Sequence, residues 1–173
     1  TIGDRKYRFA YNSPVVISPH NPNILYTAAN VVIRSTDEGS SWEILSPDLT
    51  RNDPVDRETF DPRTNIAPFE GCSICRFAES PHEKGTFWAG SDDGLIHISR
   101  DSGKTWRNVT PKQLPEWTPI TGIEISPHNP STTYVSATRY QFGDFLPYLF
   151  KTEDYGETWK SITSGIPERD YTR

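Results

Sequence analysis

The chain has 173 residues, of which 34% are hydrophobic, and its mean hydropathy is −0.67. This length matches one ordinary domain, and the low hydropathy excludes a membrane-spanning helix. Twenty-three acidic against 18 basic residues give a net charge of −5. Because phosphate binding needs a basic surface, this balance argues against nucleic acid as a partner.

Turn-forming residues are abundant in the chain, with 15 Pro and 11 Gly beside 12% aromatic residues. This composition is typical of short strands separated by many turns, so we expect an all-β fold. The chain contains no Met, and the residues after Thr1 lack the apolar core of a signal peptide. We therefore expect a processed chain or an excised piece.

Three segments repeat the same succession of four short apolar runs, each compatible with a strand. A Ser-Pro-His turn follows the first run, at 18–20, 80–82 and 126–128. An octapeptide with an Asp-x-Gly turn precedes the last run, at 35–42, 99–106 and 152–159. Four short strands per repeat predict one blade of a β-propeller.

The repeats divide the chain into about three blades. We place blade one at 12–46, blade two at 72–110 and blade three at 120–163, with an insertion at 140–148. The remaining segments are a lead-in at 1–11, an inserted loop at 47–71, a connection at 111–119 and a lead-out at 164–173. Three blades do not close a ring, so we expect further blades of the same chain or other subunits to cover the open sides.

The three octapeptides share the pattern Ser/Thr-x-Asp-x-Gly-x-Ser/Thr-Trp. We expect the Asp to accept backbone hydrogen bonds, the Gly to supply a positive φ, the hydroxyls to pair across the hairpin and the Trp to bury its base. Copies in successive blades lie far apart around a ring, which favours a structural role. The residues concerned are Asp37, Gly39, Trp42, Asp101, Gly103, Trp106, Asp154, Gly156 and Trp159.

These octapeptides resemble Asp-boxes, or BNR repeats, which occur in sialidases, xyloglucan-cleaving glycoside hydrolases and sortilin-type receptors. A narrower resemblance, to bacterial sortilin-like or "glycosyl hydrolase" BNR-repeat proteins, rests on residues 44–54, 88–95, 114–117 and 146–152. The resemblance implies a multi-blade propeller and a secreted or periplasmic location. Sialidases carry an Arg-Ile-Pro motif, and its absence from this sequence argues against sialidase activity.

Propeller topology places both insertions on the face opposite the octapeptides, so we expect any ligand site there. Asp92 or Asp93 would point a carboxylate into the mouth, unless this Asp-Gly step serves only as a tight turn. Arg139, Tyr140 and Asp144 would join from blade three, with Trp117 from the connection. Aromatic rings beside carboxylates suit a glycan or a peptide ligand.

Cysteine and histidine offer weaker candidates. Cys72 and Cys75 start an inner strand, where an i, i+3 pair points to opposite faces, so buried thiols are expected rather than zinc or a disulfide. Three of the four histidines occupy equivalent turn positions in the blades, and His97 lies in a strand. We therefore assign no metal and no cofactor.

These features predict a non-catalytic binding or scaffold module within a larger chain or assembly, because no catalytic constellation is complete. The alternative is a fragment of a glycoside hydrolase acting on a polysaccharide or glycan. Such a hydrolase needs two acids about 5 to 10 Å apart. The second acid would come from Asp144, Glu116 or the inserted loop.

Overall fold

The structure, a computed structural model, describes residues 6–52 and 72–172. The first five residues of the expected lead-in, residues 53–71 of the inserted loop and Arg173 lie outside this part. Three antiparallel four-stranded sheets follow one another along the chain, each with its strands in sequence order. The all-β, three-blade prediction is confirmed. No helix within the described ranges is long and apolar enough to cross a bilayer.

Blade one contains β1 (Val15–Ser18), β2 (Asn21–Ala28), β3 (Val32–Ser35) and β4 (Glu43–Ile44). Its inner strands are rich in Val and Ile, which suit a pleated, half-buried surface. The Ser-Pro-His turn joins β1 to β2, and the octapeptide joins β3 to β4. These two turns therefore lie on the same face of the blade.

Blade two contains β5 (Ile74–Glu79), β6 (Phe87–Ser91), β7 (Ile96–Ser99) and β8 (Arg107–Asn108). All five residues of β6 are buried. This strand is apolar on both sides because a neighbouring blade packs on each face of the sheet.

Blade three contains β9 (Ile120–Ile125), β10 (Thr133–Arg139), β11 (Asp144–Thr152) and β12 (Lys160–Ser161). A short 3-10 turn over Tyr140–Phe142 joins β10 to β11. The insertion expected at 140–148 is therefore mostly strand, because β11 already begins at its fifth residue. Arg139 pairs with Asp144 at the tip of this lengthened hairpin.

The core consists of two hydrophobic clusters, one in each space between successive blades. In the first, the Tyr26 ring of blade one lies 5.3 Å from Phe77 and 5.2 Å from Phe87 of blade two. In the second, Trp88 of blade two lies 6.1 Å from Trp159 of blade three. Adjacent residues of β6 thus face different neighbours, as the two-residue period of a strand requires.

The octapeptide turns have one hydrogen-bond pattern. In blade two, Asp101 accepts bonds from the Thr105 amide (2.9 Å), the Thr105 hydroxyl (2.6 Å) and the Ser99 hydroxyl (3.0 Å). The Ser99 and Thr105 hydroxyls thus both donate to the Asp101 carboxylate instead of pairing with each other. Positive φ occurs at Gly103 and also at the preceding Ser102 (φ 63°), and the other two turns do the same. The sequence pattern predicts a positive φ for the glycine alone.

Tryptophan side chains of the octapeptides connect successive blades. The Trp106 indole donates to the carbonyl of Leu45 in blade one (3.2 Å), and Trp159 donates to that of Val109 in blade two (2.7 Å). Each acceptor follows the last strand of the preceding blade. The Trp106 indole also donates to the Gly103 carbonyl (3.1 Å), so this ring contacts its own turn as well as the preceding blade.

Histidine side chains of the Ser-Pro-His turns connect the blades in the other direction. Nε2 of His20 lies 2.8 Å from the carbonyl oxygen of Ser80 in blade two. Nε2 of His82 lies 3.0 Å from that of Ser126 in blade three. At both interfaces, the later blade thus contacts the earlier one through Trp, and the earlier blade contacts the later one through His.

Candidate ligand-binding site

The six predicted site residues all lie in connections, or at the strand ends beside them, on the face opposite the octapeptide turns. Asp92 and Asp93 lie between β6 and β7, and Trp117 lies between blades two and three. Arg139, Tyr140 and Asp144 lie at the tip of the β10–β11 hairpin. The structure brings some of these side chains together and holds others apart.

Asp92 holds the start of β5. Its carboxylate accepts hydrogen bonds from the amide (2.8 Å) and the hydroxyl (2.9 Å) of Ser73. Burial raises the pKa of Asp92 to about 6, although the bonds from Ser73 act against the rise. Both oxygens therefore have protein donors at a place where we had expected one to reach a ligand.

Asp93 lies in the same connection between β6 and β7 and is only 3% exposed. One carboxylate oxygen accepts from the Ser91 hydroxyl, and the other accepts from the Arg51 amide at 2.7 Å. The two adjacent carboxylates thus have different partners. The buried position of Asp93 does not fit the expectation of a carboxylate open to the mouth.

Arg51, which the sequence reasoning did not single out, lies at the centre of the site. Its Nε donates to the Asp93 carbonyl (3.1 Å), and its Nη1 lies 3.5 Å from the Glu116 carboxylate. Its guanidinium carbon is 5.2 Å from the centroid of the Trp117 ring. Arg51 thus joins the connection after blade one to the connection after blade two.

Arg139 makes the equivalent link from blade three. Its Nη1 donates to the carbonyl of Glu116 (2.5 Å) and the hydroxyl of Thr118 (3.2 Å). Its Nε lies 3.3 Å from the Asp144 carboxylate, and its guanidinium carbon is 5.0 Å from the Phe142 ring centroid. Two arginines from different connections therefore contact the 116–118 segment.

Asp144 is held in place within the hairpin. It accepts hydrogen bonds from the Tyr148 hydroxyl (2.7 Å) and the Leu146 amide (3.0 Å). Burial alone would raise the pKa of Asp144, but these bonds and Arg139 outweigh it and lower the pKa. Burial and the Asp144 carboxylate raise the pKa of Tyr148 to about 12.

Aromatic and aliphatic side chains surround the tip of this hairpin. Tyr140 stacks on Tyr171 of the lead-out with ring centroids 5.3 Å apart, and Phe145 lies 6.2 Å from the same ring. Phe142 is 55% exposed and Leu146 is 45% exposed. The hairpin tip therefore offers apolar surface beside the charged Arg139–Asp144 pair.

A pocket of about 400 Å³ lies beside this hairpin, between β11, β12 and the lead-out. None of the six predicted residues lines it. Its walls include Gln113, Leu146, Tyr148, Phe150, Ser161 and Ile166.

The two cysteines form no disulfide with each other, and both are buried. The Cys75 thiol donates to the Ile120 carbonyl at 3.1 Å, and burial raises its pKa to about 12. Within residues 6–52 and 72–172, no three His, Cys, Asp or Glu side chains come together as a metal site requires.

No family model matches the chain. An oligoxyloglucan-reducing end-specific xyloglucanase of Emericella nidulans is 28% identical over 166 residues, which cover 90% of this chain and 18% of the relative. A probable xyloglucanase of the same specificity from Neosartorya fischeri is 21% identical over 173 residues, which cover 86% of this chain and 21% of the relative. The chain thus spans about a fifth of the length of these curated relatives.

Solved structures of low sequence identity share the architecture. An ancestral GH74 enzyme superposes with a TM-score of 0.62 at 19% identity, covering 90% of this chain and 18% of that chain. YCF48 from Cyanidioschyzon merolae superposes with a TM-score of 0.56 at 15% identity, covering 90% of this chain and 40% of that chain. These likenesses, with the three four-stranded sheets, show that the chain has a β-propeller fold.

Proposed function

We propose that these three blades belong to a glycoside-hydrolase-like propeller and bind a xyloglucan-type polysaccharide on the face opposite the octapeptide turns. The observation that carries the proposal is the group formed by Arg51, Trp117 and Arg139, which come from three different connections on that face. The xyloglucanase activity of the two curated relatives supports this choice of polysaccharide. The secreted or periplasmic location implied by the resemblance belongs to the same proposal.

The chemistry of this group suits a sugar. An aromatic ring covers the apolar C–H face of a pyranose, while arginine donates to its hydroxyl groups. Trp117 supplies a ring beside the Arg51 guanidinium, and Phe142 supplies one beside the Arg139 guanidinium. Glu116, whose side chain is 77% exposed, adds a carboxylate that can accept hydroxyl hydrogens.

The described residues favour binding over hydrolysis. The carboxylates of Asp92, Asp93 and Asp144 each accept hydrogen bonds from protein donors at both oxygens. A glycosidase needs one carboxyl group able to donate a proton and another that faces the substrate or a water. We therefore assign these three aspartates to holding the connections in place.

Hydrolysis is the second candidate function, and one observation favours it. The pKa of Asp92 is raised to about 6, and a raised pKa is what a carboxyl needs to act as a general acid near neutral pH. A partner acid would then come from another part of the propeller. The test is whether the chain releases reducing ends from xyloglucan. Loss of this release in Asp92→Asn, with unchanged oligosaccharide binding, would establish this candidate.

The binding proposal is tested by titrating the chain with a xyloglucan heptasaccharide in a calorimeter. Replacing Trp117 with Ala removes the ring beside Arg51, so we expect binding at least about 10-fold weaker. Trp42→Ala is the matched control, because Trp42 is a solvent-exposed tryptophan in an octapeptide turn on the opposite face. A wild-type chain that does not bind the heptasaccharide contradicts the proposed ligand, and equal losses in both variants contradict the proposed site.

A further inference from the structure

Trp117 has a backbone conformation that a bulky residue rarely adopts. Its φ is 58°, which lies in the left-handed region that favours glycine. Three other non-glycine residues with a positive φ, Glu38, Ser102 and Tyr155, each occupy the same place before the glycine of an octapeptide turn. Trp117 belongs to no such repeated turn. A residue held in this region at a conformational cost indicates a functional constraint.

Gly94 of the β6–β7 turn lies against the backbone that follows Trp117. A β-carbon on Gly94 would lie 2.8 Å from the Thr118 amide nitrogen and 2.9 Å from the Thr118 carbonyl oxygen. Both distances are too short for a real β-carbon, and backbone atoms cannot turn aside as the end of a side chain can. The close approach of the two segments therefore requires a residue without a side chain at position 94.

The β6–β7 turn is held more firmly than the 116–118 segment. The Asp92 amide donates to the Ser73 carbonyl (2.9 Å), and the Asp92 carboxylate accepts two further bonds from Ser73. The 116–118 segment depends mainly on the side chain of Arg139, which donates to one of its carbonyls and to one hydroxyl. Movement of this segment would also release Trp117 from its unfavourable φ. A side chain at position 94 would therefore displace the 116–118 segment and leave the turn in place.

We propose that Gly94 is a positioning residue for the Trp117 ring, an inference that rests on the proposed role of this ring in sugar binding. By letting the Thr118 backbone come close, Gly94 holds the 116–118 segment where the ring lies 5.2 Å from the guanidinium carbon of Arg51. The ring is thus fixed before a ligand arrives. A ring fixed in advance loses little conformational freedom on binding, so Gly94 raises the affinity without touching the ligand.

Replacing Gly94 with Ala tests the proposal, and Gly143→Ala is the matched control. Gly143 also has a positive φ (73°) and lies on the same face, but a β-carbon there would have no neighbour within 4 Å. The readout without ligand is the NMR shift that the Trp117 ring current produces in the Arg51 side-chain protons, identified by its loss in Trp117→Ala. We expect Gly94→Ala to lose most of this shift and Gly143→Ala to keep it.

Titration with the xyloglucan heptasaccharide measures the consequence for binding. We expect binding about 10-fold weaker in Gly94→Ala and unchanged in Gly143→Ala. A wild-type chain that does not bind the heptasaccharide contradicts the proposed function, whereas the Arg51 shift still decides whether Gly94 positions the ring. The positioning role is overturned if Gly94→Ala keeps the shift, if Gly143→Ala loses it equally, or if Gly94→Ala binds a ligand of the wild-type chain with unchanged affinity.

A second pair of variants leaves Gly94 intact and serves if Gly94→Ala does not fold. Trp117→Gly and Trp117→Ala both remove the ring, so they differ mainly in the cost of a φ near 58°. We expect Trp117→Gly to unfold at the higher urea concentration, although glycine is ordinarily the less stable choice. An equal or lower midpoint for Trp117→Gly would show that residue 117 is not held in the left-handed region, which overturns the proposal.

Discussion

Gly156 lies so close to Val109 of the preceding blade that a β-carbon on Gly156 would be 2.8 Å from the Val109 Cβ. Gly39 has the same place in its own octapeptide turn, but no other blade packs on it within the described residues. Both glycines have a positive φ, 83° and 93° respectively. The pair therefore separates the conformational role of the glycine from its packing role.

We expect Gly156→Ala to destabilise the chain by about 1 to 3 kcal/mol more than Gly39→Ala. Alanine pays a similar conformational cost at both positions, but only at Gly156 does its methyl group overlap a neighbouring blade. Urea denaturation of the two variants measures the difference. Equal losses of stability would show that the contact between blades contributes nothing.

Asp92 gives a stability difference that depends on pH. Its pKa rises from 3.8 to about 6 on folding, so its contribution is fully present below pH 3.8 and is lost as the pH rises through 6. At pH 7, ionisation of the buried Asp92 carboxyl lowers the free energy of unfolding by about 3 kcal/mol. We therefore expect Asp92→Asn, relative to wild type, to be more stable by about that amount at pH 7 than at pH 3.5, measured by urea denaturation at both values.

Asp101 is the matched control with the opposite sign. Hydrogen bonds from Thr105 lower its pKa below 3.8, so its contribution is present above that value and is lost as the pH falls through the lower folded-state pKa. Asp101→Asn should therefore lose more stability at pH 7 than at pH 2.5. A common trend in both variants would refute the assignment of opposite shifts.

Arg51→Ala should destabilise the chain by about 1 kcal/mol, because it removes the donor to the Asp93 carbonyl and the cation beside the Trp117 ring. Arg51→Lys keeps the charge but loses the Nε donor, so we expect an intermediate value. Arg107→Ala removes an exposed ion pair with Glu157 and is expected to cost less than about 0.5 kcal/mol. Chemical denaturation ranks the three variants, and an Arg51→Ala no worse than Arg107→Ala contradicts a central role for Arg51.

Cys75 should resist alkylation in the folded chain. With a pKa raised from 9.0 to about 12, its thiolate fraction at pH 8 is about 1000-fold below the ordinary value, and its burial blocks the reagent as well. Mass spectrometry after iodoacetamide treatment, with and without urea, measures the modification. Rapid labelling of Cys75 without urea would contradict the buried position.

The fold was predictable because local patterns determine it. The Ser-Pro-His turn and the octapeptide mark the two hairpins on one face of every blade, so four strands per repeat could be read directly. The partners of Trp106 and Trp159 could not, because both acceptors are backbone carbonyls about 50 to 60 residues earlier in the chain. Every residue has a backbone carbonyl, so the residue type does not show which carbonyl accepts the hydrogen bond.

The candidate site was predictable only as a face of the molecule. Topology brought Trp117, Arg139 and Asp144 to that face, but Arg51 was missed because nothing local distinguishes it from other loop arginines. The sequence left open whether Asp92 or Asp93 points into the mouth or whether the Asp-Gly step serves only as a tight turn. The Asp93 carboxylate is buried by the connection from blade one, which is a tertiary contact.

The contacts between blades have a fixed polarity, with Trp directed towards the amino-terminal neighbour and His towards the carboxyl-terminal one. The two sides of blade two therefore carry different contacts, with Trp106 on the side of blade one and His82 on the side of blade three. Contacts of this polarity are heterologous, because each joins two different sides of successive blades.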